Sequence, residues 1–144
     1  MRDQNYSNHR RIVTGYHVVL TLLILVTLIG SLVNLYKSWG DESRFYNALL
    51  IVSLTVIAAL CFFYLRIFAL KAQDRAIRVE ENLRHYVLTG ALLDSRLTIR
   101  QVIGLRFAQD EEFVVLAKSA AERGTREDEI KKSIQNWRSD NYRA

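Results

Sequence analysis

Three groupings of side chains in this sequence are of the types that perform chemistry. His17 sits inside a long apolar run, where an imidazole can ligate haem or relay a proton. Axial ligation by two histidines needs a second imidazole at matching depth, and His9 and His85 both fall outside the apolar runs. Only another copy of the chain could supply one, so the simpler reading is a neutral imidazole hydrogen-bonded near the headgroups. Asp110, Glu111 and Glu112 offer three carboxylates to a cation, but consecutive helical residues point in different directions and no histidine accompanies them. Favourable placement at a helix N-terminus explains them more simply. Arg96, Arg100 and Arg106 fall on short helices of the kind that enter a DNA groove. Their charges alternate with acids instead of building one basic stripe, so no nucleic-acid partner is expected.

No nucleophile stands beside a base, no Cys/His ligand set occurs, and Gly104 and Gly124 stand alone where a phosphate-binding loop needs several glycines. Cys61, the one cysteine, lies in an apolar run and has no intrachain disulfide partner. The expectation is a non-enzyme with no catalytic residue, no cofactor and no metal.

The elements that would position these residues follow from how charge is distributed. Half of the residues are hydrophobic and 24% are charged, yet the two kinds are segregated. A mean hydropathy of +0.02 therefore averages two unlike regions. Residues 12–36 and 45–65 contain no Asp, Glu, Lys or Arg. A helix rising about 1.5 Å per residue needs roughly 20 residues to cross ~30 Å of hydrocarbon, and both runs suffice. The remaining chain is too short and too polar to wrap two helices that are apolar on every face. The first run is too long for the core of a cleaved leader and has no small-residue cleavage site after it. Proline is absent, so no helix is interrupted by a missing backbone donor.

Orientation follows from the flanks. Arg2, Arg10 and Arg11 precede the first run, Arg66, Lys71, Arg75 and Arg78 follow the second, and the connection 37–44 is neutral. Basic flanks stay inside, which predicts a multi-pass membrane protein with both termini cytoplasmic. Tyr16, Tyr36, Trp39, Phe45, Tyr46 and Tyr64 lie near the ends of the runs, where amphipathic rings favour the interface. Thr21, Thr27, Gly30, Ser31 and Asn34 in the first run, with Ser53, Thr55, Ala58 and Ala59 in the second, suit close helix packing.

After Arg66 the pattern becomes periodic. Ile67, Leu70, Ile77, Leu83, Tyr86 and Val87 fall near one face, predicting that the second helix continues out of the bilayer to a stop at Gly90. Glu80 with Arg84, and Glu81 with His85, have the spacing of helical pairs. Thr98 predicts a helix to about Ala108, Asp110 one to Arg123 ending at Gly124, and Thr125 a last helix carrying Ile130, Ile134 and Trp137. The fold expected is all-α: a transmembrane helical hairpin over 1–65, a long juxtamembrane helix, and a small cytoplasmic helical domain within 66–144.

Three segments carry a likeness. Residues 97–113 contain the pattern LRFA-x-DEE, residues 129–140 read E-I-K-K-x-I-x-x-W-R-x-D, and residues 73–84 follow the second apolar run. Together they resemble an uncharacterised family of small two-span bacterial inner-membrane proteins, domain of unknown function 6526. The resemblance implies that location and supplies no activity, substrate or catalytic residue. The function expected is a membrane-anchored, non-enzymatic interaction or accessory protein whose tail meets a protein partner or assembles as a homo-oligomer, with the lipid bilayer as its other partner. Its candidate contact residues are Arg100, Arg106, Asp110, Glu111, Glu112, Trp137 and Arg138. A small oligomeric channel or holin-like permeabilising protein is the alternative, against which the long ordered tail argues.

Overall fold

The computed structural model describes residues 4–8 and 12–140. His9 and the topology-bearing Arg2, Arg10 and Arg11 lie outside them. Among the described residues there are five α-helices: α1 (Thr21–Lys37), α2 (Glu42–Thr89), α3 (Ile99–Leu105), α4 (Asp110–Arg123) and α5 (Glu127–Ser133). A π-helical stretch, Gly15–Leu20, leads into α1. Among the described residues there is no strand, only an isolated antiparallel bridge between Ala108 and Trp137. The fold is all-α, as the hydrophobic periodicity predicts. The described residues form two compact units, 12–68 in one and 4–8 with 69–140 in the other.

In the first unit, two helices are long and apolar enough to cross a membrane: the continuous helical run Gly15–Lys37, and α2. The chain reverses between them so that the Tyr16 hydroxyl donates to the Phe62 carbonyl at 2.7 Å, with the two rings stacked 4.5 Å apart. The buried positions are Ser31, Ser38, Ala48 and Thr55, small side chains that allow close backbone approach. Ser31 and Thr55 return their hydroxyl hydrogens to the carbonyls of Leu28 and Ile51 in the preceding turn, so their burial leaves no unpaired donor.

In the second unit α2 runs on to Thr89, and Gly90 ends it at φ +77°, a left-handed conformation that favours glycine. The face buried there differs from the one predicted. Ile77 enters the core, but Leu83, Tyr86 and Val87 are exposed. The predicted pairs also change: Glu81 pairs with Arg84, and His85 places Nδ1 2.7 Å from the Ala91 carbonyl.

The core gathers Ile77, Leu97, Val102, Leu105, Phe107, Phe113, Ile130 and Ile134 with three alanines. Burying each large side chain contributes about 1.5–3 kcal/mol. Thr98 caps α3 as predicted, its hydroxyl accepting from Gln101 N at 3.3 Å while Gln101 Oε1 accepts from Thr98 N at 2.8 Å. Gln101 Nε2 then donates to the carbonyls of Ala120 and Thr125, fastening α3 to the end of α4. Helix α3 stops at Leu105, short of Ala108, because the chain beyond it bridges to Trp137.

Helix α4 starts at Asp110 itself, with Gln109 as the preceding cap, and Gly124 closes it at φ +65°. Arg126, not Thr125, precedes α5, and Glu129 accepts from its backbone N–H at 3.1 Å. Helix α5 ends at Ser133, because Ile134 is extended and turns the chain toward Phe107.

Candidate functional site

The polar centre of the second unit is Arg84. Its guanidinium donates to Asp110 Oδ1 at 2.6 Å, to Glu81 Oε2 at 3.1 Å and to the Ala108 carbonyl at 2.7 Å. Its carbon lies 4.2 Å from the Phe113 ring centroid. A planar fork of donors suits this arrangement as an ammonium would not. Both Arg84 and Glu81 are nearly closed to solvent. Burial raises the Glu81 carboxyl above its ordinary value, and Arg84 opposes that shift.

Glu112 catches the opposite strand of chain, accepting from the backbone N–H groups of Gln135 and Asn136 at 3.2 and 3.0 Å. Arg138 N donates to the Phe107 carbonyl at 2.7 Å, and Trp137 packs against the Phe107 ring with centroids 5.1 Å apart. Arg106 is buried against the same ring, its guanidinium carbon 4.6 Å from the centroid. Its Nη1 lies 3.1 Å from Asp140 Oδ2, yet Nε and Nη1 make no aligned hydrogen bond. That contact is therefore an ion pair by distance alone. Burial works against the Arg106 charge, and Asp140 leads the acids that oppose the effect.

The candidate contact residues consequently divide. Arg106, Asp110, Glu112 and Trp137 are engaged within the unit, Asp110 while still exposed, and Arg100, Glu111 and Arg138 are exposed. Arg100 stands 3.6 Å from Glu127, a loose surface pair. Arg100 also lines a cleft of about 1060 Å³ with Tyr6, Gln101, Arg126, Asp128 and Lys131. There the Tyr6 hydroxyl donates to Asp128 at 2.7 Å, and that bond, with Lys132, holds the Asp128 carboxyl below its ordinary range. Among the described residues no three His, Cys, Asp or Glu side chains form a group able to hold a metal ion.

A family model described as a family of unknown function, DUF6526, matches residues 1–144. The chain belongs to DUF6526. No curated protein and no solved structure matches it. In this DUF6526 chain, the segments that carry the likeness interlock: 73–84 supplies Glu81 and Arg84, 97–113 supplies Asp110 and Glu112, and 129–140 supplies Trp137 and Asp140. Sequence reasoning missed Arg84 and Glu81 as the centre of that interlock. Their three-residue spacing was the available signal, but it is also the spacing of an ordinary surface pair.

Proposed function

We propose that this DUF6526 chain is a membrane-anchored, non-enzymatic accessory protein of the bacterial inner membrane. Two helices cross the bilayer as a hairpin, both termini stay cytoplasmic, and the helical unit of the tail is held there to meet a protein partner. The observation that carries this reading is how little of the apolar helices is covered. Only 6% of the apolar window in Gly15–Lys37 and 11% of that in α2 are buried within the protein. A soluble core would cover such helices, whereas lipid covers them without further protein. Support also comes from chain continuity. Residues 4–8 precede the apolar unit and 69–140 follow it, yet they fold into one body, as an even number of crossings requires.

The exposed candidate residues Arg100, Glu111 and Arg138, together with the partly engaged Asp110, are polar and of mixed sign. That composition suits the rim of a protein interface better than an ion path. The test is fractionation followed by affinity purification of the full chain. The chain should remain with alkaline-washed membranes and require detergent for release. In mild detergent it should bring down one reproducible heterologous protein, lost when Arg100, Glu111 and Arg138 are replaced together by alanine. A chain that stays monomeric in the supernatant of a detergent-free lysate removes the membrane reading. Recovery of the chain with no heterologous protein removes the accessory role.

A further inference from the structure

Past Phe68, α2 has two apolar faces. One packs Ile77 into the core, beside the Glu81–Arg84 ion pair. The other carries Ala69, Ala72, Ala76, Val79, Leu83 and Tyr86, and every one of these side chains is exposed. Their separations alternate between three and four residues, which is the seam of a two-stranded coiled coil. With Ala69, Ala76 and Leu83 at the first seam position and Ala72, Val79 and Tyr86 at the second, the core-facing residues fall on the opposite side of the helix. The seam and the intrachain core therefore do not compete. Val79, Leu83 and Tyr86, with Asn82 and Leu92, also surround a shallow depression of about 420 Å³ into which a facing side chain can seat.

The flanking charges specify the occupant. In a parallel pair, the residue just before a first seam position lies opposite the residue five places later on the other helix. That rule sets Arg75 of one copy against Glu80 of the other, twice by symmetry. Arg75 and Glu80 are both exposed, and neither has an ion-pair partner among the described residues of its own chain. In an antiparallel pair each flank meets its own counterpart, and the flank of Phe68, Arg75 and Asn82 holds no acid, so Arg75 would gain no ion pair. Two copies inserted in one bilayer with the same orientation can only meet in the parallel sense. This last step rests on the membrane reading above.

We propose that two copies of this chain associate in parallel through the α2 seam from Ala69 to Tyr86, with Arg75 of each copy paired to Glu80 of the other. The seam shares no residue with Arg100, Glu111 and Arg138, so pairing leaves them free for a heterologous protein.

The test uses the full chain in native membranes with Cys61 replaced by alanine, since Cys61 is an exposed thiol. Single cysteines are placed on the seam, Leu83→Cys and Tyr86→Cys, and off it on the same helix, Leu88→Cys. Oxidation should give a dimer of twice the chain mass from the two seam positions and little from Leu88→Cys. In the Leu83→Cys chain, Arg75→Glu or Glu80→Arg alone should lower the dimer yield by roughly fivefold, and the two together should restore it.

Equal yield on and off the seam, no dimer from any position in membrane-bound protein, or charge reversals that fail to compensate would each overturn the pairing. A cross-link from the seam to a different protein would overturn it too, by naming another occupant. Fractionation of the same samples separates the two proposals. Soluble protein that still links at the seam removes the membrane anchor and keeps the pairing, whereas membrane-bound protein with no seam link does the reverse.

Discussion

Arg84 satisfies two carboxylates and a carbonyl while covering an aromatic ring, so its loss leaves more than one contact broken. Arg84→Ala strands the buried Glu81 charge, and the expected cost is about 3–5 kcal/mol. Arg84→Lys recovers little of it, because an ammonium cannot reach all three acceptors in one plane. Denaturant titration of the full chain in detergent micelles, followed by Trp137 fluorescence in a Trp39→Phe background, reads both variants. Two carboxylates set pH limits of opposite sign. Burial lifts Glu81 above 4.5, so the folded state holds its proton more tightly than the unfolded state does. Stability from this group is greatest below 4.5 and falls as pH rises through the raised value. Glu81→Gln should flatten that fall. Asp94 is held at about 2 by hydrogen bonds from the Arg96 side chain and backbone, against an ordinary value of 3.8. Its contribution is complete above 3.8 and disappears as pH drops toward 2, so Asp94→Asn should remove part of the acid limb of the same titration.

At the scale of elements, α3 and α5 approach each other closely at Gly104. A Cβ built on Gly104 would stand 3.2 Å from the Glu127 carbonyl and 3.4 Å from Ile130 Cγ2. Gly104→Val adds a branched side chain where one carbon already presses on backbone, and the expected loss is about 1–3 kcal/mol by the same denaturant titration. This closeness also explains what the sequence does and does not disclose about the helices. The Thr98 cap and the Gly90 and Gly124 stops act through their immediate neighbours, so they are legible locally. The end of α5 is not. Ile130, Ile134 and Trp137 keep helical spacing, yet spacing records only which side chains turn toward the core. Here an extended segment delivers Ile134 and Trp137 to Phe107, and no local residue announces that change. The outward seam of α2 was hidden for a related reason. Two apolar faces on one helix merge into a single periodic signal, so Leu83 and Tyr86 were grouped with the core-facing Ile77.

At the scale of the molecule, the segregation of charge makes the two apolar helices and the helical fold legible. The union of 4–8 with the second unit is not, because it depends on polar contacts more than a hundred residues apart. Gln4 exchanges hydrogen bonds with the backbone of Asp140 at 3.2 and 2.8 Å, and Tyr6 reaches Asp128. These contacts turn topology into a measurement. If the chain crosses the bilayer twice, Tyr6 and Asp128 share one compartment and remain neighbours in intact membranes; after a single crossing the bilayer would separate them. Cysteines replacing both residues, with Cys61→Ala, should therefore be joined within one chain by a short bifunctional maleimide that permeates the membrane. An impermeant maleimide added outside should label Trp39→Cys, in the connection between the apolar helices, and leave the Tyr6→Cys and Asp128→Cys pair untouched. Efficient outside labelling of that pair would reverse the orientation drawn from the basic flanks, while absence of the intrachain link in membrane-bound protein would exclude the even crossing itself.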